Sequence, residues 1–315
     1  MTRVIPFLAR PKDEELHLWQ AELSKTFAGT AAIKPFSALS DEERERADVA
    51  IVANPLVSEL EQLPGLVWVH SLWAGVEKMT AELPVDGPKI VRMTDPKMAS
   101  TMAEAVLAWT LYLHRDMPVY ASRQREKVWK MQELVHPEDR KVCVLGLGAL
   151  GQKAALRLKD NGFDVSGWSR SLKTIEGVET FSGAEGLKEA VSQADIVVVL
   201  VPLTDETRGL LNADTLAAFK AGARLINFAR GPIIEDEALL AKLDEGHIAH
   251  AVLDVFATEP LPQDNRYWEH PSVTVLPHIT APTTIRTASR IVFENIARYI
   301  ADGTIPKTVD RKRGY

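Results

Sequence analysis

A short glycine-rich turn constrains the fold of this chain more than any other stretch. Gly146-Leu147-Gly148-Ala149-Leu150-Gly151 directly follows the apolar run Val142-Cys143-Val144-Leu145 and precedes a helical pattern over 152–161. In this order of strand, turn and helix, the first glycine permits the tight turn. The second lets backbone amides approach a pyrophosphate, and the third lets helix and strand pack closely. The helix N-terminus then meets the phosphates with unpaired amides and the positive end of its dipole. The flanks are those a dinucleotide site requires, so Gly146, Gly148, Ala149, Leu150 and Gly151 are candidate cofactor contacts.

The turn opens a regular alternation. Strand candidates over 141–145, 163–168, 195–201, 224–228, 249–254 and 273–276 are mostly separated by helical stretches. The run 195–201 is almost wholly β-branched, as in a strand buried on both faces. Six strands that begin at a glycine fingerprint predict a Rossmann-type doubly wound parallel sheet. The N-terminal third alternates too, with strands over 4–8, 49–53, 66–70 and 90–92 and helices over 13–26 and 57–62. It predicts a smaller, flavodoxin-like α/β domain. Ser40 with Glu43, and Ser182 with Glu185, have capping-box spacing. A long helical pattern over 99–120 meets Pro118, which kinks or ends it. The charged stretch over 121–132 carries Trp129, and either a solvated helix or an arm against a second subunit accounts for it. The amphipathic stretch over 285–302 returns the chain to the first domain. The expected division is therefore a substrate domain over 1–98 with 285–315 and a dinucleotide-binding domain over 99–284.

The chain of 315 residues is comfortable for two domains, and its hydrophobic share of 46% supplies two cores. A net charge of −6 argues against a nucleic-acid surface or an anionic membrane face. The lone Cys143 excludes an intrachain disulfide and suits a reducing cytoplasm. The segment 1–10 has no signal-peptide pattern, and charges follow over 12–15. The strongest apolar run, 196–203, is too short to span a bilayer. The eight histidines show no zinc-type ligand spacing, so no metal is expected.

The second strand of the glycine unit ends at Trp168-Ser169-Arg170-Ser171, with Lys173 beyond. A free ribose 2′-hydroxyl is usually held by an acid at this place, and here the position is Ser169. A carboxylate would repel a 2′-phosphate, whereas the Arg170 guanidinium attracts one. The stretch therefore favours NADP(H) over NAD(H).

Three further segments stand at predicted strand ends, where open α/β sheets place ligands. They are Asn227-Phe228-Ala229-Arg230-Gly231, Asp254-Val255-Phe256-Ala257-Thr258-Glu259-Pro260 and Pro277-His278-Ile279-Thr280. Alone, Arg230 reads equally as a surface charge, Glu259 as a loop residue and His278 as a structural histidine. Together, the stretches 195–211, 225–237 and 247–278 resemble the D-isomer-specific 2-hydroxyacid dehydrogenases, in the family's order Arg, Glu, His. Within the family, Trp168 to Ser171 and the ending His278-Ile279-Thr280-Ala281 look most like the A-type bacterial glyoxylate/hydroxypyruvate reductases.

That resemblance implies NADPH-dependent reduction of small 2-oxo acids. Arg230 would bind carboxylate and ketone and polarise the ketone. His278 would donate the proton, and Glu259 would orient the imidazole and favour its charged form. Asp254 would lie near the nicotinamide. Val201, Pro202 and Thr207 would line the adenosine and ribose side, and Phe228, Ala229 and Thr280 would border the cofactor. Ser71-Leu72-Trp73-Ala74-Gly75-Val76-Glu77 resembles the family's substrate loop, whose amides at Ala74, Gly75 and Val76 would hold the substrate carboxylate. Trp73 departs from the usual small residue and either narrows the pocket or packs between domains. Glu77 replaces the commoner aspartate. The resemblance further implies a homodimer formed through the cofactor domain. The end at Tyr315 leaves no room for the regulatory domain of some relatives, and the basic tail Arg311-Lys312-Arg313 reads as a frayed end. Two alternatives remain open: another 2-oxo acid as substrate, or a non-catalytic dinucleotide-sensing, corepressor-like protein.

Overall fold

The computed structural model describes residues 2–10 and 15–311. Its chain forms two compact units, Met98–Pro282 and Met1–Lys97 with Thr283–Tyr315. The start of the helix expected over 13–26 lies outside the described residues, as do Lys12 and the tail residues Lys312 and Arg313.

In the first unit, β1 (Arg3–Ala9), β2 (Ala31–Pro35), β3 (Val49–Ala53), β4 (Trp68–Ser71) and β5 (Lys89–Val91) form a sheet in the order β2-β1-β3-β4-β5. Every neighbouring pair is parallel. This is the flavodoxin-like order, with its reversal between β1 and β3. Helix Ile285–Asp302 brings the chain back to this unit. Its Ala288, Val292 and Ile296, one turn apart, are buried with Trp19, Leu23, Ile5 and Ile51. Ser40 and Glu43 form a complete capping box on helix Asp41–Arg46.

In the second unit, β6 (Lys141–Leu145), β7 (Asp164–Trp168), β8 (Glu179–Phe181), β9 (Ile196–Val199), β10 (Ala223–Asn227), β11 (Ile248–Leu253) and β12 (Val273–Val275) form a sheet ordered β12-β11-β10-β9-β6-β7-β8. All its pairings are parallel. Helix layers cover both faces, and alternation divides the strands between them. Cys143, Leu145, Val197 and Val199 enter one core, while Val142, Val144, Ile196 and Val198 enter the other. Cys143 is wholly buried, and burial pushes its thiol up to about 12. The strand order reverses between β6 and β9, and the glycine turn leaves β6 at that switch point.

Several local expectations need correction. β2 and β8 are strands that the apolar pattern did not reveal. Both are sheet edges with half-exposed residues, so their sequences, AAIKP and ETF, carry a weak β signal. The long helix ends at His114, before Pro118. A proline ring at 118 clashes with the carbonyl four residues back, so Asp116 turns left-handed and Pro118 starts a new helix, Met117–Glu126. The charged helix thus stops at Glu126, and Trp129 lies on an irregular segment, fully exposed. Ser182 forms no side-chain cap. Gly183 takes φ +72° and turns the first helical residue out of register with the hydroxyl, and its carbonyl accepts Trp168 Nε1 at 2.8 Å. Arg311 is tied to the carbonyls of Pro84 and Pro88 and does not fray. Among the described residues, no helix is long and apolar enough to cross a membrane.

The glycine turn allows a direct stability test. A β-carbon at Gly151 would stand 1.7 Å from the Gly146 carbonyl oxygen, whereas one at Gly148 would meet nothing within 4 Å. Gly151→Ala is expected to lose about 1–3 kcal/mol in urea unfolding, and Gly148→Ala less than about 0.5 kcal/mol.

Candidate active site

The turn after β6 is shaped for close approach by a ligand. Gly146 has φ +108°, and a β-carbon there would lie 2.7 Å from the backbone of Leu200 and Val201. Gly148 leaves the open space and stands before helix Ala149–Lys159, which no side chain caps. The amides of Ala149, Leu150 and Gly151 open that helix, so an anion there meets unpaired donors and a positive dipole end. An open cradle at an uncapped helix of eleven residues fits a dinucleotide pyrophosphate.

At the end of β7 the expected residues divide. Trp168 is buried, with its side chain in the core and bonded to Gly183, so only its backbone borders the ligand side. Ser169 Oγ donates to the Ser171 carbonyl at 2.8 Å and tightens the turn. Arg170 is exposed, and its Nη1 lies 3.3 Å from Glu206 Oε2. Lys173 is exposed, and its carbonyl accepts Thr180 Oγ1. After β9, Val201 is buried and Pro202 exposed, while Thr207 Oγ1 donates to the Pro202 carbonyl at 2.6 Å.

Three loops bring together Arg230, Glu259 and His278. Asn227, buried at the end of β10, shapes the first loop. Its Oδ1 accepts the Ala229 amide and its Nδ2 donates to the Arg230 carbonyl. Arg230 Nη1 donates to the Ala229 carbonyl at 2.7 Å. Phe228 and Ala229 are buried, so they offer backbone rather than side chain. Gly231 lets this loop touch the next one, because a β-carbon there would stand 2.0 Å from the Phe256 carbonyl carbon. The Phe256 amide in turn donates to Glu259 Oε1 at 2.9 Å. Glu259 Oε2 lies 2.7 Å from His278 Nδ1.

This last contact sets the protonation of both groups. The hydrogen bond to Glu259 raises the His278 pKa above 6.5, burial opposes that, and the Glu259 charge adds to it. For Glu259, burial raises the pKa, but the bonds from His278 and Phe256, with the charges of His278 and Arg230, outweigh it and leave it below 4.5. Each group thus favours the charged form of the other, and with Nδ1 facing Glu259, Nε2 is the nitrogen left to exchange a proton.

His278 itself has φ +54°, a left-handed conformation rare outside glycine and asparagine. The wholly buried Asp254 holds it there. Its two oxygens accept the Ile279 and Thr280 amides at 2.8 and 2.9 Å. Thr280 Oγ1 is buried without a hydrogen-bond partner, a polar atom available to a ligand group.

The Ser71–Glu77 loop belongs to the other unit. His70, buried at the end of β4, donates from Nδ1 to the Ser71 carbonyl at 2.9 Å and accepts Asn295 Nδ2 at Nε2. Burial pushes its pKa down to about 4, so it is a neutral fixture. Ser71 Oγ accepts the Trp73 amide at 3.0 Å. Trp73 packs edge-on against Trp19 of the same unit, ring centres 5.7 Å apart, while Ala74 and Gly75 stay half-exposed.

Residues 107–280 match the family model described as D-isomer specific 2-hydroxyacid dehydrogenase, NAD binding domain. The chain belongs to that family. It is 37% identical, over 85% of its length and 88% of the relative's, to the glyoxylate/hydroxypyruvate reductase A of Serratia proteamaculans. A D-isomer specific 2-hydroxyacid dehydrogenase from Xanthobacter autotrophicus, crystallised with NADPH and MES, superimposes with a TM-score of 0.91 at 38% identity over 100% of both chains. The NADPH-dependent glyoxylate/hydroxypyruvate reductase of Sinorhizobium meliloti, in complex with NADP and sulfate, superimposes at 0.90 with 31% identity, again over 100% of both. In this dehydrogenase the family's nucleotide-binding segment therefore carries the glycine turn and all three loop residues.

Sequence reading missed how Asn227 and Gly231 shape the arginine loop, the contact of Glu206 with Arg170 and, in the other unit, His70 bonded at the start of the Ser71–Glu77 loop. An asparagine ending an apolar strand and a histidine buried beside a loop are polar groups at costly places, and that is the available signal. Glu259→Gln is expected to lower the His278 pKa, read from the imidazole Cε1–H shift in an NMR titration. The sign follows from both shifts. A raised histidine contributes stability that fades as pH rises through its folded value. A lowered glutamate contributes stability that is lost as pH falls through its own. The pair is complete only between the two.

Proposed function

We propose that this dehydrogenase reduces small 2-oxo acids, glyoxylate and hydroxypyruvate among them, to 2-hydroxy acids with NADPH. The observation that carries the reading is the Glu259–His278 pair at 2.7 Å, held beside the Arg230 loop. A reduced dinucleotide, with its pyrophosphate at the glycine turn, would supply hydride from its nicotinamide. Arg230 binds the substrate carboxylate and draws electron density toward the ketone oxygen. As negative charge develops there, His278 Nε2 delivers its proton to it, and Glu259 holds the ring and stabilises its charged form. The balance is one hydride to carbon, one proton to oxygen, and a proton regained by His278 from solvent.

The NADP(H) preference rests on Arg170 and the missing acid at Ser169. The NADPH and NADP complexes of the Xanthobacter and Sinorhizobium relatives support it. The substrates rest on the names of the Serratia and Sinorhizobium relatives. The exposed apolar side chains Val128, Trp129, Met131 and Leu134 on one segment support a homodimer that covers them.

Purified protein is expected to oxidise NADPH faster than NADH with glyoxylate or hydroxypyruvate. His278→Asn should lower kcat by about 10²–10⁴-fold while leaving NADPH affinity near that of the parent. With the parent, a rate that falls as pH rises past the raised His278 value is expected. NADPH binding with no turnover of any 2-oxo acid would favour the sensing alternative.

A further inference from the structure

We propose that Glu206 limits the preference for a 2′-phosphorylated dinucleotide, by occupying the Arg170 guanidinium that the phosphate must take. The inference rests on the reading of Arg170 as the phosphate ligand. Arg170 lies just past the end of β7, and Glu206 lies in the turn after β9. Their side chains meet at 3.3 Å, so an ion pair joins the loops after β7 and β9, the two strands that neighbour β6 and its glycine turn.

Both turns are closed by hydrogen bonds. The Glu206 turn is closed by the Thr204 amide on Thr207 Oγ1 at 2.8 Å and by the Arg208 amide on the Thr204 carbonyl at 2.9 Å. On the other side, the Ser169 amide donates to the Phe181 carbonyl and Ser169 Oγ bonds within the turn. The turns are thus held where the Arg170 and Glu206 side chains reach each other. A phosphate on Arg170 therefore competes with the Glu206 carboxylate for one guanidinium, and the displaced carboxylate stays near a dianion it repels. A dinucleotide with a free ribose hydroxyl meets no such competition, because the ion pair can remain intact.

The effect is bounded by exposure. The Arg170 and Glu206 side chains are 47% and 69% exposed, so water screens the pair and readily receives the released carboxylate. Such pairs shift binding by at most about fivefold. Glu206 thus works as a modest brake on selectivity. It also places a carboxylate at this edge of the site from a different loop than the strand end where an acid is usually found.

The test is calorimetric and needs no turnover. Adenosine 2′,5′-bisphosphate and 5′-AMP are titrated at low ionic strength into the parent, Glu206→Gln, Arg170→Ala and the double variant. Glu206→Gln should tighten the bisphosphate by about two- to fivefold and leave 5′-AMP within about twofold. In the Arg170→Ala background the gain should vanish. A gain that persists in full without Arg170, an equal gain for both nucleotides, or no gain at all overturns the proposal. Arg170→Ala reports separately on the reading beneath it. If that change weakens both nucleotides alike, Arg170 is not the phosphate ligand, and the inference falls with it.

Discussion

A buried carboxylate with two backbone partners underlies the arrangement of the site. Asp254 has almost no contact with water, and an ionised group there would be costly if unpaired. It is satisfied by the amides of Ile279 and Thr280, and those bonds compel the preceding residue, His278, into a left-handed conformation. The Asp254 amide is itself bonded to the Asn227 carbonyl. One short run of contacts therefore connects the end of β10, the end of β11 and the histidine loop. Strain at His278 persists because its neighbours over-determine it, as expected where geometry matters to function.

The same strand ends explain how residues far apart in sequence come together. Parallel strands with crossover helices bring every C-terminal loop to one edge of the sheet. Gly231 and the Phe256 backbone then close the gap between the arginine and glutamate loops, and Glu259 spans from the Phe256 amide to His278. A larger residue at 231 would part the loops. The charge relation follows from this packing. Glu259 raises the histidine, and the histidine in turn lowers the glutamate, so each favours the charged form of the other.

Much of this was legible in the chain. The glycine turn and the β-branched run around β9 pointed to the doubly wound sheet, because both are demanded by burial and close packing. The arginine, glutamate and histidine segments were legible mainly as a resemblance, since each residue alone has a bland reading. What escaped depends on partners distant in sequence or on local backbone geometry. β2 and β8 are edges whose pairing, not their composition, makes them strands. The Ser182 box had the right residues but the wrong backbone, set by Gly183. The support that Asp254 gives the histidine loop was also hidden, because its two amide partners, Ile279 and Thr280, lie 25 and 26 residues on. Glu206 gave no signal at all, because its meaning comes only from the Arg170 side chain opposite.

The proposed chemistry is tested most directly by following a labelled hydride. The reaction would be run with NADPH deuterated at the transferable C4 position and glyoxylate, and the product examined by NMR. The account predicts deuterium at C2 of glycolate, with the label lost from the cofactor in equal amount. Glycolate without deuterium, or cofactor that binds and is never consumed, would contradict it.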